Sequence, residues 1–381
     1  MLRRLLFASA YTTTFSRSKL LDDPVERERQ RLHLVNRLTP PEVVAGLKEA
    51  VRDALSKESP CVPAGAVLLT YSNAYHAPFM ALTQRALHRS STNRCNVMRR
   101  YVAVCFGHNS SSHCVPAPAV KPSDHRKGMY HELIWIKWSI LEFALEVPGC
   151  DLAFFFDADV VLLQNPFRAL EVHLQAPLAQ HSFRLKKFRF MYQPTGPWEG
   201  GVMRHPAMPK PKLPRGNDAH DPRGKHGLAR YGRPLCGDLA AIHPRHELNS
   251  GQMFVPDRHL VHTILQAKPL SFRASSELDQ QVVSKLLHLD LQPKSTKDPR
   301  THRHPANSSA DGGFSACMLP EGFTEHCWCR NNITCAVDIC SMVTYHATCF
   351  STFNQKYAGA LAAVERFEQP ACRLWRREFP L

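Results

Sequence analysis

Leu152-Ala153-Phe154-Phe155-Phe156-Asp157-Ala158-Asp159-Val160-Val161-Leu162-Leu163-Gln164-Asn165-Pro166-Phe167 runs from an uninterrupted apolar strand straight into two closely spaced carboxylates. A strand without polar alternation suits the centre of a parallel sheet, where helices cover both faces. Ligands of such sheets bind beyond the carboxyl ends of the strands. Asp157 and Asp159 are therefore expected at that end, two residues apart and able to face the same way. Such a pair can hold a divalent cation carrying a phosphorylated ligand. The tripeptide alone says little: with 16 Asp in 381 residues, an Asp-x-Asp arises by chance on the order of 0.7 times. Its place after a buried strand gives it weight.

Outward from this stretch, strand and helix alternate. Gly65-Ala66-Val67-Leu68-Leu69-Thr70-Tyr71 reads as a first buried strand ending in Tyr71-Ser72-Asn73, and helix signals follow from Pro78 to about His88. Arg100 to Phe106 reads as a second strand. Lys127 to Glu146 reads as a helix with one buried face and Lys137 among its polar members, stopped by Pro148-Gly149. Strand, helix, strand, helix, strand is the order of a doubly wound sheet, so the expected class is α/β, with a mostly parallel sheet flanked by helices. Residues 1–60 are set apart as a targeting and stem segment. Within it, Asp22 to Ser59 reads as an exposed, charged helical stem with a narrow apolar stripe of Leu32, Val35, Val43, Leu47, Val51 and Leu55. Residues 61–381 form the expected globular domain.

Lys and Arg exceed Asp and Glu by 48 to 33, a formal charge of +15 that favours phosphorylated or polyanionic partners. Much of it lies between Arg184 and Arg233, interleaved with Pro and Gly, which reads as a long solvated insertion. It lacks the aromatic interleaving of a stacking platform and any recognition-helix pattern, so no nucleic-acid partner is expected. Seven of the thirteen cysteines (Cys317, Cys327, Cys329, Cys335, Cys340, Cys349, Cys372) crowd the last quarter. Disulfides and an oxidising compartment explain them best. The rival is zinc on Cys327, Cys329, Cys335, Cys340, His346 and Cys349, although their spacing matches no paired Cys-x-x-Cys knuckle. Sequons at Asn109, Asn307 and Asn332 agree with secretion. The odd cysteine count leaves at least one thiol free or paired between chains. The basic start Met1-Leu2-Arg3-Arg4 precedes an apolar run shorter than a usual signal core, and organelle targeting is the alternative address. No stretch approaches the roughly 20 apolar residues of a membrane span, so membrane association is expected only through an anchor not visible in this chain.

Three later segments each have an ordinary structural reading. Asn249-Ser250-Gly251 is a polar turn beside a short apolar strand, where glycine admits close backbone approach. Asp279-Gln280 sits where helix N-terminal acids sit. His346 follows a short apolar run, the usual setting of a hydrogen-bonded interior histidine.

Taken in order, strand-Asp-x-Asp, Asn-Ser-Gly-x-x-x-Val, Asp-Gln before a helix and Tyr-His near the end, the chain resembles the nucleotide-diphospho-sugar transferases of GT-A fold, most closely the family 77 glycosyltransferases. The resemblance spans roughly Ala64 to Phe367, with Phe156 to Phe167 its most specific part. It implies a Rossmann-like GT-A domain with an added cysteine-rich C-terminal part. It also implies transfer of a sugar, with retention, from a nucleotide-diphosphate donor such as a UDP-sugar to a glycan or glycoprotein hydroxyl, cell-wall polysaccharide included, in the Golgi lumen. By the same resemblance Asp157 meets the ribose and metal, Asp159 ligates the metal and His346 adds a ligand. Asn249 and Gly251 line the sugar pocket, and Asp279 and Gln280 hold the reacting centre. Thr70, Tyr71, Asn73 and Lys137 complete the expected donor site. Oxygen ligands suit Mn2+ or Mg2+, and one imidazole favours Mn2+. Two other classes remain. A nucleotidyltransferase would want a glycine-rich phosphate loop after the first strand, which Thr70 to Tyr75 lacks. A secreted binding module stapled by disulfides or zinc would explain the last quarter but not the ordered motifs.

Overall fold

A computed structural model describes residues 24–90, 95–119, 128–174, 190–194, 198–199, 202–203, 248–256, 258–267, 279, 283, 316–319, 323–325, 340, 342–347 and 352–372. The helices are α1 (Pro24–Leu38), α2 (Pro41–Ser56), α3 (Ala77–Ser90), α4 (Gly128–Leu145), α5 (Pro166–Leu174), α6 (Arg258–Ala267) and α7 (Phe353–Phe367). The strands are β1 (Ala66–Asn73), β2 (Tyr101–Phe106), β3 (Cys114–Ala117), β4 (Leu152–Phe156), β5 (Val160–Leu162), β6 (Phe190–Pro194), β7 (Trp198–Glu199), β8 (Val202–Met203), β9 (Leu248–Val255), β10 (Ala316–Met318), β11 (Phe323–Glu325) and β12 (Thr344–His346).

A sheet of order β10-β6-β9-β4-β1-β2-β3 organises the molecule. Its β4, β1, β2 and β3 run parallel, while β9 enters antiparallel between β4 and β6. The chain is thus α/β with a mostly parallel sheet. Its apolar strands bury residues toward both faces, as an unalternating sequence requires. Val67, Leu69, Val102, Val104, Ala153 and Phe155 join one core with α1, α2, α4 and α6. Ala66, Leu68, Ala103, Phe154 and Phe156 join the other with Met80 and Leu87 of α3 and Phe167 and Leu170 of α5.

Three expectations change. The segment read as an exposed stem is helical, but it lies against the domain: Leu34, Val35, Leu38, Val43, Leu47, Val51 and Ala54 are buried in the first core. The three- and four-residue spacing of these side chains gives each helix a face wide enough to dock. That docking in turn covers the outer side of α4, so this helix is buried all round from Ile134 to Leu141 instead of on one face. Its interior polar groups are each partnered. Ser139 meets Thr39 at 2.7 Å, and Glu142 accepts from Arg31 at 2.6 Å and contacts His262 Nδ1 at 2.9 Å. An unpartnered buried polar group would cost about 1–3 kcal/mol.

The basic stretch 184–233 is also not wholly an insertion. Phe190-Met191-Tyr192 has the aromatic and apolar character of a strand, and β6 takes its place between β9 and β10 in the main sheet. Residues 204–247 lie outside the described residues.

Among the described residues three disulfides are present, Cys61–Cys95, Cys105–Cys114 and Cys340–Cys372, and they are compatible with a secreted or lumenal protein. The last falls in the cysteine-rich quarter. Cys150 is the free cysteine among the described residues, and burial pushes its thiol up to about 12. Among the described residues no helix is long and apolar enough to cross a membrane.

Candidate functional site

The Asp157-Ala158-Asp159 turn lies at the carboxyl end of β4 and is fixed from three sides. Val160 N donates back to the Asp157 carbonyl at 3.0 Å, closing the turn itself. Asp157 N donates to the Gly251 carbonyl of β9 at 2.8 Å, and Ala347 N, just beyond β12, donates to the Asp159 carbonyl at 3.1 Å. The strand β12 pairs antiparallel with β5, placing His346 opposite Val160. Gln164 supports this arrangement by donating to the carbonyls of Cys340 (3.1 Å) and Met342 (2.9 Å). Asn165 accepts from Phe167 N at 3.0 Å, which caps α5, and donates to the Cys61 carbonyl at 2.7 Å. The Gln-Asn-Pro-Phe end of the opening stretch thus holds the scaffold under the two carboxylates.

Around Asp157 the surroundings are closed. Lys137 of α4 reaches through the core to place Nζ 3.2 Å from both carboxylate oxygens, 2.9 Å from Ser250 Oγ and 3.3 Å from Asp279 Oδ2. Asp279 also accepts from Trp138 Nε1 at 3.0 Å and from Ser250 Oγ at 2.6 Å, and is only 1% exposed. Asp157 Oδ1 is buried and accepts no hydrogen bond, despite Lys137 nearby. Burial is the main cause that lifts the Asp157 carboxyl above its ordinary range; Lys137 opposes the shift and Asp159 adds to it.

Around Asp159 the balance reverses. Burial again pushes the carboxyl up, but Lys356 of α7 and then His346 overcome it, and the group ends well below the usual carboxylate range. Lys356 Nζ lies 2.5 Å from Oδ2, and His346 Nε2 lies 3.4 Å from Oδ1. Lys356 is held protonated: burial works against its charge, and the Asp159 pairing prevails. His76, after β1, donates through Nδ1 to Asn73 Oδ1 at 2.9 Å. Its burial, with Lys356 close by, outweighs the pull of Asp159 and keeps the ring below its usual pKa. Tyr75, 47% exposed, packs against Phe353 with ring centres 4.2 Å apart.

The structure therefore gathers Lys137, Asp157, Asp159, Gly251, Asp279 and His346 at one end of the sheet. Thr70 and Tyr71 are drawn inward: the Thr70 hydroxyl donates to the Phe156 carbonyl at 2.7 Å, and the Tyr71 ring stacks on Phe155 with centres 6.1 Å apart. Asn73 serves as the acceptor for His76. Asn249, Ser250 and Gly251, read as a turn, are part of β9 instead, paired into the sheet with Asn249 in register with Gln193, and Gln280 lies outside the described residues. Sequence reasoning missed Ser250, Tyr75, His76 and Lys356. Ser250 and Tyr75 lie within quoted motifs and were within reach of it. Lys356 carries no local mark that separates it from any other lysine on an amphipathic helix.

The fit to a metal ion follows from this geometry. Neighbouring ligands on an octahedral ion stand about 3.0–3.4 Å apart when each bond is about 2.1–2.4 Å. The 3.4 Å between His346 Nε2 and Asp159 Oδ1 meets that spacing, but Asp157, expected as a third ligand, does not bring an oxygen within 4.8 Å of both and instead faces Lys137. Among the described residues, three metal-capable side chains with ligand atoms within 4.8 Å of one another occur only at Cys105, His108 and Cys114. There the two sulfurs are bonded to each other. No family model and no curated protein matches the chain.

Proposed function

We propose that the chain is a metal-dependent glycosyltransferase of the GT-A kind, moving a sugar with retention from a nucleotide-diphosphate donor to a glycan or glycoprotein hydroxyl, in the Golgi lumen. The observation that carries this reading is the pair of carboxylates at the carboxyl end of β4, each backed by a lysine, with His346 beside the second. Asp159 and His346 would hold the ion, Mn2+ being favoured over Mg2+ by the imidazole. When bound, it neutralises charge developing on the departing nucleoside diphosphate.

The side chains divide the remaining work. Lys356, positively charged beside Asp159, faces the region a diphosphate would occupy and adds charge where the leaving group forms. Asp157, held beside Lys137, would lie next to the ribose, as the resemblance implies. Tyr75 presents an exposed aromatic face next to that region, suited to stacking on a base. Asp279 is tied by Lys137, Trp138 and Ser250, which favours a part in positioning Lys137 over a role as attacking nucleophile. A nucleotidyltransferase would need a phosphate-cradling glycine loop, and β1 ends instead in Ser72-Asn73 followed by Ala74-Tyr75.

Incubation of the purified chain with a panel of nucleotide sugars, with and without Mn2+, tests the reading. Donor hydrolysis should require the ion, and Asp159→Ala should reduce it at least about 10²-fold, the scale of losing one group aimed at developing charge. Hydrolysis that persists unchanged in a chelator would overturn it.

A further inference from the structure

We infer that Asn109 carries an N-linked glycan, attached before the loop that holds it closes. Asn109-Ser110-Ser111 occupies the loop between β2 and β3, and Asn109 is exposed there. The other sequons, Asn307 and Asn332, fall outside the described residues. An acceptor asparagine of this kind belongs on a surface loop and needs the hydroxyl two residues on, here that of Ser111.

In the finished fold that hydroxyl is occupied. Ser111 Oγ accepts from Gln84 Nε2 of α3 at 2.5 Å and from His113 N at 3.2 Å, and the Ser111 carbonyl accepts from Cys114 N at 3.1 Å. The Cys105–Cys114 disulfide ties the loop off across nine residues. Its first residue, Gly107, has φ +71, and a Cβ there would sit 2.7 Å from Ala119, so the exit from β2 is a fixed turn. A transferase must draw Asn109 and Ser111 together into its own site, and a loop pinned at Ser111 and at both ends does not permit this. Attachment therefore comes first and closure second. The step joins the Asn109 side-chain nitrogen to the anomeric carbon of an oligosaccharide. The carbon–oxygen bond to a lipid diphosphate donor breaks, the lipid diphosphate leaves, and the amide proton passes to the transferase.

The position has a structural consequence. Among the described residues strand β3 ends the sheet and pairs on one side only. Such an edge invites pairing with another chain. Pro116 within it already removes one donor, and a glycan seven residues before that proline adds bulk along the same border. None of this depends on the proposed transferase activity.

The test translates the full chain into microsomes behind a cleavable signal sequence. The products are digested with a peptide N-glycosidase, which converts glycosylated asparagine to aspartate, and position 109 is read by peptide mass spectrometry. Because newly made chain is read, the variants need not fold. Conversion at Asn109 is expected in wild type. Asn109→Gln and Ser111→Ala should each lose one glycan's worth of gel shift. Cys114→Ser, which leaves the loop open, should show occupancy equal to or above wild type. Absence of conversion at Asn109 in both wild type and Cys114→Ser overturns the site, and lower occupancy in Cys114→Ser overturns the order of events.

Discussion

Asp157 and Asp159 stand two residues apart on one turn, yet Asp157 belongs to the buried centre of the sheet and Asp159 to the seam where β12 and α7 close over its end. Asp157 shares Lys137 with Asp279, so two carboxylates divide one cation and burial raises the Asp157 carboxyl. Asp159 is paired with Lys356 and His346 and is held ionised. Closely spaced groups of one chemical type can thus be set apart by the cations brought to them from distant parts of the chain, and environments that push such pairs apart are a mark of functional sites.

The largest effect is expected at the first region. Lys137→Met leaves Asp157 and Asp279 facing each other without a shared cation, and removing one partner of a buried ion pair costs about 3–5 kcal/mol. Urea unfolding measures this; a loss below about 1 kcal/mol would mean that the two carboxylates do not depend on Lys137.

The seam should be held mainly by covalent closure. Cys340 and Cys372 bracket β12 and α7 across 32 residues, and opening a loop of that size costs about 2–4 kcal/mol. Replacing both with Ala should therefore lower stability by that amount while leaving the stability difference between wild type and Lys137→Met intact. A change in that difference would show the two regions to be coupled.

A smaller loss, about 1.5 kcal/mol, is expected for Lys356→Met, the worth of one hydrogen bond between charged groups. Its pH dependence gives the sign. The folded pKa of Asp159 lies below the unfolded value of 3.8, so the contribution is present above pH 3.8 and is lost as pH falls through the folded pKa. Without Lys356 that acid loss should begin at a higher pH, as unfolding curves taken across the acid range would report. An unchanged acid limb would assign the low pKa to His346 alone.

The smallest effect concerns His76. Its folded pKa is below the ordinary 6.5, so the unfolded chain takes up the proton first and stability falls as pH drops from about 6.5 toward the folded pKa. His76→Gln should flatten that part of the stability profile, compared with wild type in chelator. An identical slope in both would remove His76 from the seam's electrostatics.

The sequence disclosed the site unevenly, and the reason is distance along the chain. The β4 stretch was legible because a strand covered on both faces must be apolar throughout, and the change to Asp-x-Asp marks where that cover ends. Gly251 and His346 were legible as polar or small residues beside short strands. Lys356 was not: it acts 197 residues from Asp159, on a helix whose pattern explains it as a solvent-facing residue. Lys137 was legible as a polar member of α4, but its burial was not. That burial arises because α1 and α2 pack over the helix, and their stripe of Val and Leu reads equally well as the weak face of a free stem.

By itself the sequence determined the alternation of strands and helices and the buried character of β1, β2 and β4, since these follow from side-chain period and backbone preference within a few residues. The tertiary structure alone decided that β9 enters antiparallel between β4 and β6, that Cys340 pairs with Cys372, and that one aspartate receives a shared lysine and the other a lysine with a histidine. Those outcomes depend on which remote groups share a volume, and the energies that select among them, burial of charge and closure of long loops, act only when the whole chain is folded.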